Sequence, residues 1–242
     1  KQNNMKKMIM VAGIAVALSA CGSQEKKSDT TAPGDIFLTE FTTPFGVPPF
    51  DKIELDDYMP AFKAGIAEQQ KDVEAIVNNT EAPDFENAIV ALDQSGKTLR
   101  RVSSVFFGQN SANTNDEMQA LSRELSPLLS KSSDDIRLNP ELFKRVKAVY
   151  DNQESMNLYK EQKKLLEETY KSFVRGGANL DADKQARLRE LNSEISMQQL
   201  AFGQNMLKET NAFQLVIDNE ADLAGLPESL ARKQHILTLS RP

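Results

Sequence analysis

The fold class is decided by residues 84–106, which read DFENAIVALDQSGKTLRRVSSVF. Apolar side chains recur there every three or four residues, which places them on one face of an α-helix. Asp84 precedes the first of them and can cap the helix by accepting a hydrogen bond from a backbone N–H. Gly96 lies on the same face, which indicates close approach by another helix. The apolar residues of this face are Phe85, Ile89, Leu92, Leu99, Val102 and Phe106.

The same periodicity continues on both sides of this stretch. Upstream, a helix begins near Asp57, has Pro60 in its first turn and extends to Val77. Downstream, a third helix begins near Asp116, and Pro127 is expected to kink or interrupt it. The apolar positions of these two helices are Tyr58, Phe62, Ile66, Val73, Ile76 and Val77, then Leu121, Leu125 and Leu128.

Three further helices are marked by their ends. The sequence Asn139-Pro140-Glu141 gives one helix a cap and a proline at its first position. The next helix ends at Gly176-Gly177, where glycine easily supplies a left-handed residue. Asp181 caps a long sixth helix. The apolar face of that helix carries Leu188, Leu191, Ile195, Phe202 and Met206.

Two segments are predicted not to be helical. Residues 36–53 are rich in phenylalanine and proline, and we expect them to run extended along the body with the phenylalanines packed as anchors. Residues 213–217 are the only stretch with the composition of a strand. The predicted fold class is therefore all-α, and the predicted helical region is 36–230.

The first 20 residues are predicted to be a lipoprotein signal peptide. Two lysines precede an apolar run, residues 8–18, which is too short to span a membrane as a mature helix. The sequence Leu18-Ser19-Ala20-Cys21 resembles the lipobox of bacterial lipoproteins, so Cys21 is the predicted lipidation site. The alternative is an ordinary secretory signal followed by a chance cysteine. Residues 21–35 lack apolar periodicity and are predicted to be a flexible tether.

The charge and the inventory of side chains exclude several functions. The formal net charge of the 242-residue chain is −6. From Cys21 onward it is −9, because three of the 29 basic residues and none of the 35 acidic ones lie before it. Such a surface repels phosphate backbones, so nucleic acid is not an expected partner. A single cysteine excludes an intramolecular disulfide, and one cysteine with one histidine is too few for an ordinary zinc site.

Candidate catalytic residues are few. Neighbouring acids could act as acid and base, but adjacent side chains on a helix point apart, so solvated faces or helix caps are the favoured interpretation. Asp181 and Asp183 lack the glycine and closing glutamate of a calcium loop and are interpreted as a cap. His235 would have to complete any Ser-His-acid arrangement, but it is interpreted as an exposed residue of an atypical tail, residues 231–242. The acidic pairs are Asp56-Asp57, Asp134-Asp135 and Glu167-Glu168.

Eight short segments of the sequence, taken together and in order, indicate a protein family, although no single one of them does so. They are PFGVPPFDKI (44–53), DYMPAF (57–62), FENAIVALDQSG (85–96), LRRV (99–102), FF (106–107), IRLNPELF (136–143), FVRGGA (173–178) and LAGLP (223–227). Together they resemble the zinc peptidases of the thimet-oligopeptidase type, and the peptidyl-dipeptidase branch is the most similar. The resemblance covers about residues 41–230.

This resemblance implies a mostly helical enzyme with a deep channel that admits short peptides and excludes folded proteins. It also implies a zinc ion held by a His-Glu-x-x-His helix and a later glutamate, with the glutamate of the motif acting as general base on the metal-bound water. This sequence does not contain that motif. No catalytic and no metal-binding residue is therefore assigned, and zinc is expected in a full-length parent rather than in this chain.

The predicted function is that of the N-terminal helical part of a peptidase that releases dipeptides from the carboxyl end of short oligopeptides. Alone, the chain is expected to be inactive, and its tail favours a truncated or frameshifted gene. The expected partners are short peptides and a membrane of the bacterial cell envelope, reached through a lipid on Cys21, and the chain is expected to be a monomer. The alternative is a non-enzymatic helical lipoprotein that acts as a scaffold or partner-binding module.

Overall fold

The computed structural model describes residues 32–225 and 236–239. Within these ranges the chain is mostly helical, and each of the two strands has only three residues, so the predicted all-α fold class is confirmed. No described helix is long and apolar enough to cross a membrane. A π-helical segment, Phe85–Val90, leads into the second helix. The helices are α1 (Leu55–Val77), α2 (Ala91–Gln94), α3 (Lys97–Ala112), α4 (Asp116–Arg137), α5 (Pro140–Asp151), α6 (Lys160–Arg175) and α7 (Ala182–Ala212).

Polar side chains cap the N-terminal ends of several helices at the predicted residues. Asn139 Oδ1 accepts a hydrogen bond from the Leu142 N–H at 3.0 Å and starts α5. Asp181 Oδ1 accepts from the Lys184 N–H at 2.9 Å and starts α7. Asp84 caps the π-helical segment in the same manner. These bonds satisfy backbone donors that the first turn of a helix leaves without partners, so the three predicted starts are confirmed.

α1 begins at Leu55, close to its predicted start. Asp57, in the first turn, accepts hydrogen bonds from two backbone N–H groups, those of Glu54 at 2.8 Å and Gly34 at 2.9 Å. The second bond ties the last residues of the predicted tether, 32–35, to the start of the helix, and Gly34 is buried there.

The helix predicted over residues 84–106 is broken at Gly96, so the prediction of one continuous helix is wrong. α2 ends at Gln94, Gly96 adopts a left-handed conformation with a φ of 66°, and α3 begins at Lys97. Glycine adopts this conformation at little cost, which makes it a common point for a helix to end. Asp72 of α1 stabilises the backbone at this break, because its carboxylate accepts a hydrogen bond from the Gly96 N–H at 3.1 Å. The predicted approach of another helix at this point is confirmed.

A closer approach of two backbones occurs at Gly65 of α1. A Cβ atom built on Gly65 would lie 2.7 Å from the backbone nitrogen of Leu99 in α3. At Gly96 the nearest atoms belong instead to the flexible side chain of Gln69. Gly65 therefore sets how closely α1 and α3 pack.

α4 continues without a break through Pro127, so the predicted interruption is wrong. Proline removes one backbone hydrogen bond inside a helix and costs about 3 kcal/mol or more. Leu125 before the proline and Ser132 after it are both buried against neighbouring elements. We attribute the continuity of α4 to this packing on both sides of the ring.

Residues 36–53 follow an irregular path with a short 3-10 turn at Pro44–Gly46, and only part of the predicted phenylalanine packing is present. Phe37 is fully buried, and the centroid of its ring lies 6.2 Å from that of Phe41. Phe45 and Phe50 are exposed by 104% and 49%. The expectation that these two rings anchor the segment is therefore wrong.

Two hydrophobic cores lie along α1. The first joins the beginning of α1 to α3, α4 and the residues before α1, and the second joins the end of α1 to the π-helical segment, α5 and α6. α7 lies against α4 and contributes no buried residue. The largest fully buried side chains are Phe37, Phe62, Val102, Phe106 and Leu125 in the first core and Ile89, Leu142, Val146, Val149 and Leu166 in the second.

The strand predicted at residues 213–217 is present as β1 (Gln214–Val216). It pairs antiparallel with β2 (Ile236–Thr238), and Leu215 lies opposite Leu237. β2 belongs to residues 231–242, for which the sequence pattern predicts no strand.

Candidate functional site

The described residues contain no group of three or more histidine, cysteine, aspartate or glutamate side chains that could bind a metal ion. Cys21, the predicted lipidation site, and His235, the lone histidine, lie outside the described residues. The candidate chemistry of the described ranges is therefore that of the acidic pairs and the polar cavities.

Two of the three acidic pairs have structural roles. In the Asp56-Asp57 pair, the first residue is exposed and the second belongs to the cap of α1. On the surface of α6, Lys171 and Lys164 hold the pKa of the Glu167 carboxyl below its ordinary value, and Lys164 does the same for Glu168. The interpretation of these pairs as a cap and a solvated face is confirmed.

The two residues of the third pair, Asp134-Asp135, have different environments. Asp135 forms ion pairs with Lys131 at 2.5 Å and with Arg189 of α7 at 2.9 Å. Asp134 is only 5% exposed, and its Oδ1 accepts a hydrogen bond from Asn192 Nδ2 of α7 at 2.8 Å. Both carboxylates therefore contact α7, through Arg189 and Asn192, which are three residues apart. The interpretation as a solvated face is wrong for Asp134, because α7 covers it.

A groove with a volume of about 430 Å³ lies where α3, α4 and α7 meet, and it is called the polar groove below. Phe107 of α3 forms part of its wall, and hydroxyl and amide side chains form most of the rest. The serines of α4 in the groove are spaced three or four residues apart, which places them on one helix face. They are Ser122, Ser126, Ser130 and Ser133, and the polar residues of α7 that line the groove are Asn192, Ser196 and Gln199.

Polar contacts hold α7 against α4. Arg123 Nη1 donates to Gln204 Oε1 at 3.0 Å, and Gln204 Nε2 donates to the Gln119 carbonyl at 3.3 Å. The bonds from Asn192 and Arg189 to the acidic pair add to these. A second, wider cavity of about 830 Å³ lies between the same two helices. Because these contacts are hydrogen bonds and ion pairs, the two helices meet without a dry core.

The polar groove contains groups of both charges. Asp134 lines it, and no cationic side chain of the described residues forms an ion pair with that carboxylate. Arg137, one turn further along α4, also lines the groove, is exposed, and donates no side-chain hydrogen bond to a described residue. Asp134 is buried but accepts the hydrogen bond from Asn192, so neither charge in the groove is both buried and unsatisfied. The arrangement can therefore bind the polar backbone and the charged ends of a peptide.

The hydroxyl groups of the groove are not arranged for nucleophilic catalysis. Ser122 Oγ donates to the Met118 carbonyl at 2.9 Å, and Ser196 Oγ donates to the Ser193 carbonyl at 2.8 Å. The side chains that line the groove include no histidine or lysine. A serine nucleophile needs such a base beside it. The described lining therefore offers hydrogen-bonding groups that can bind a ligand.

The sequence pattern did not identify this groove as a candidate site. Its walls come from distant parts of the chain, and the contact from Asn192 to Asp134 joins residues 58 positions apart. Each wall does have a signal of its own, since polar residues recur at helical spacing in α4 and again in α7. That signal marks two polar faces but does not indicate that they lie against each other.

Comparisons with known proteins give matches over most of the chain. No protein-family model matches it. Dipeptidyl carboxypeptidase from Escherichia coli is 41% identical over 192 residues, which are 79% of this chain and 28% of that protein. Oligopeptidase A from Haemophilus influenzae is 30% identical over 186 residues, which are 76% of this chain and 27% of that protein. The chain thus spans little more than a quarter of the length of these curated relatives.

Proposed function

Because the chain belongs to the peptidase family of dipeptidyl carboxypeptidase and oligopeptidase A, we propose that it is the helical, peptide-binding part of such an enzyme. The observation that carries the proposal is the 41% identity to dipeptidyl carboxypeptidase over 192 residues. The matched range is 28% of that protein. In this proposal the cleavage chemistry belongs to the part of the enzyme that the chain does not span.

The proposed parent enzyme uses zinc to release dipeptides from the carboxyl end of short peptides. Bound zinc supplies hydroxide at neutral pH, because it lowers the pKa of its water to about 7. The residues of this chain do not fit a zinc site, since the sequence has one histidine and one cysteine and the described ranges contain no cluster of ligands. No step of bond cleavage is therefore assigned to them, and the chain alone is expected to be inactive.

The contribution of this chain is peptide binding in the polar groove. An extended peptide has free backbone N–H and C=O groups, and serine, asparagine and glutamine side chains can bond to both. Asp134 attracts the amino end of a peptide, and Arg137 attracts a carboxylate. A volume of about 430 Å³ accepts a short peptide and is too small for a folded protein.

A lipid on Cys21 is proposed to hold the protein at a membrane of the bacterial envelope. The support for this proposal is the sequence Leu18-Ser19-Ala20-Cys21 after a basic start and an apolar run. Stable anchoring takes more than one acyl chain, since each buried CH₂ group contributes about 0.8 kcal/mol. Mass spectrometry of the protein from bacterial membranes tests it. An unmodified Cys21 in the mature protein contradicts it.

A chimeric enzyme tests the peptidase proposal. The matched quarter of the Escherichia coli dipeptidyl carboxypeptidase is replaced by the corresponding residues of this chain. We expect the chimera to release dipeptides from short peptides and to lose that activity when a chelator removes zinc. The isolated chain is expected to release none. Stoichiometric zinc binding and dipeptide release by the isolated chain would overturn the proposal.

Substitutions in the groove test its part in peptide binding. Arg137→Ala in the chimera is expected to raise KM for short peptides about tenfold, with kcat within twofold, because it removes binding without touching the chemistry. Arg175→Ala, at the exposed end of α6, is the matched control and leaves both constants unchanged. Equal effects of the two substitutions contradict a role for the groove.

A non-enzymatic scaffold is the second candidate function. The scaffold function is favoured by the two hydrophobic cores within residues 32–175, because a region with its own cores can fold independently. In this case the isolated chain binds a peptide or protein tightly without zinc, and the chimera has no activity. Isothermal titration calorimetry with the isolated chain, beside the chimera assay, separates the two functions.

A further inference from the structure

α7 carries a row of exposed apolar side chains, called the α7 stripe below: Leu191, Ile195, Phe202 and Met206. Their exposed fractions are 36%, 51%, 70% and 59%. Single apolar side chains on a surface are ordinary, but a contiguous row of large ones marks a binding surface. No residue of α7 is buried. The helix therefore presents these four side chains to solvent, whereas Leu188, on the same side, is half-buried beside Gly177.

The four side chains of the α7 stripe lie on one side of the helix, and Met206 at one end also borders a cavity between α7, α3 and α4. An α-helix turns by about 100° per residue, which places the four side chains within about 60° of one another. Arg189 and Gln204, which bond to α4, lie about 130° and 170° from the middle of the stripe. The side of α7 that bonds to α4 therefore lies away from the middle of the stripe.

The apolar surface continues beyond the end of the helix. Phe213, Leu215 and Val216 are exposed by 45%, 49% and 54%. Phe213 follows α7 directly and falls on the line of the stripe. From Leu191 to Phe213 the surface is about 33 Å long at 1.5 Å per helical residue. A surface of this length matches another domain rather than a small ligand.

Two occupants are consistent with such a surface: a second copy of this chain and the rest of a peptidase. Contacts within one permanent assembly are apolar, like a domain core, whereas contacts between separate soluble proteins contain more polar groups. None of the four side chains of the stripe is polar. Two copies would each bring a net charge of −6, which opposes self-association. The chain spans only 28% of dipeptidyl carboxypeptidase, so the rest of an enzyme of this family needs a surface to pack on.

We propose that the α7 stripe is the surface on which the catalytic part of the peptidase packs. This inference rests on the proposed function of the chain as part of such an enzyme. The residues of α7 that line the polar groove, Asn192, Ser196 and Gln199, lie about 70°, 110° and 50° from the middle of the stripe, so the groove runs beside the docking surface. The helix then carries a peptide-binding surface and a structural surface next to each other.

Two neighbouring substitutions test the docking surface. Phe202→Glu and Ala201→Glu add the same charge to exposed positions about 100° apart around the helix, and only the first lies on the stripe. In the isolated chain we expect both to leave the melting temperature within about 2 °C, because both positions face solvent. In the chimeric enzyme Phe202→Glu is expected to lower the melting temperature by about 5 °C or more, because it buries an unpaired carboxylate. Ala201→Glu changes it little there too.

The results that differ from these expectations contradict either docking on the α7 stripe or the proposed peptidase function, and they tell the two apart. Equal melting temperatures for the two chimera variants overturn docking on the stripe, while the activity of the unaltered chimera still supports the proposed function. A folded but inactive chimera overturns the proposed function, and its melting temperatures still test docking. A chimera that does not fold, or an isolated chain that forms a dimer which Phe202→Glu alone dissociates, overturns docking of the catalytic part.

Discussion

Tyr58 is a polar residue within the first core. Its ring packs against those of Phe37 and Phe106, and its hydroxyl donates a hydrogen bond to Gln109 Oε1 of α3. Burial, with a smaller contribution from Asp57, raises the pKa of this hydroxyl to about 12. The sequence pattern places the ring correctly on the apolar face of α1 but cannot identify the partner of the hydroxyl. That partner lies 51 positions away along the chain.

The raised pKa of Tyr58 predicts a loss of stability at high pH. In the unfolded chain its pKa returns to 10.0, so between pH 10 and 12 the unfolded state binds fewer protons than the folded state. The free energy of unfolding therefore falls as the pH rises through this window, and the contribution of Tyr58 is fully present below pH 10. Tyr58→Phe is expected to remove this fall, and to cost about 1 kcal/mol at neutral pH because the hydrogen bond is lost.

Urea unfolding at pH values from 9 to 12 measures the effect of Tyr58→Phe. Tyr159→Phe is the matched control, because Tyr159 is 61% exposed and its substitution leaves the pH dependence as in the unaltered chain. A Tyr58→Phe variant that loses stability above pH 10 as steeply as its parent contradicts the assignment.

Arg145 is a buried cation that binds backbone rather than a carboxylate. Its guanidinium donates to the carbonyls of Asn79 at 2.8 Å and Glu81 at 3.3 Å, and to Asn87 Oδ1 at 3.1 Å. It therefore attaches the loop between α1 and the π-helical segment to α5. Arg145→Met is expected to reduce the free energy of unfolding by about 1–3 kcal/mol, because these acceptors lose their partner. Lys144→Met changes a side chain that is 80% exposed and is expected to stay within about 0.5 kcal/mol. Urea titrations of both variants at pH 7 give the difference, and equal midpoints contradict it.

At the scale of the element, local patterns predict where helices begin better than where they break. The caps at Asn139 and Asp181 use atoms within three residues of each other, so the sequence contains all the necessary information. The break at Gly96 depends on Asp72 of α1, and the continuity of α4 through Pro127 depends on packing by other helices. The polar groove was not predicted for the same reason, since three separate helices form it. Interactions that are distant in sequence account for each of these differences.

Gly65 provides a test of how α1 and α3 pack. Gly65→Ala would place a Cβ 2.7 Å from the Leu99 backbone nitrogen, so the two helices must separate, at a cost of about 1–3 kcal/mol. In a helix without such a contact, alanine is more favourable than glycine by about 1 kcal/mol. Gly108→Ala in α3, where a Cβ meets nothing within 4 Å, is therefore expected to stabilise the chain. Thermal unfolding of the two variants should shift in opposite directions, and shifts of the same sign contradict the close contact.

At the scale of the whole molecule, the helices from α1 to α6 share two cores, whereas α7 adds no buried residue and is held by polar contacts and by half-buried side chains such as Leu188 and Leu200. α1 takes part in both cores, so the loss of α1 removes both. Polar contacts at a solvated surface contribute little, often less than 1 kcal/mol each. We therefore expect α7 to unfold locally without unfolding the body, as weakly attached segments do.

A pair of proline substitutions tests this independence. Lys71→Pro and Ala201→Pro each break a helix at an exposed interior position, one in α1 and one in α7, with a local cost of about 3 kcal/mol or more. All four tyrosines lie outside α7, so their near-ultraviolet circular dichroism follows the body alone. Lys71→Pro is expected to lower the melting temperature measured from that signal by about 10 °C, because α1 supports both cores. Ala201→Pro should reduce the far-ultraviolet helical signal and leave the tyrosine transition within about 2 °C. A common loss of both signals in Ala201→Pro would show that α7 is part of one cooperative unit, and its exposed apolar side would then need no further partner for stability.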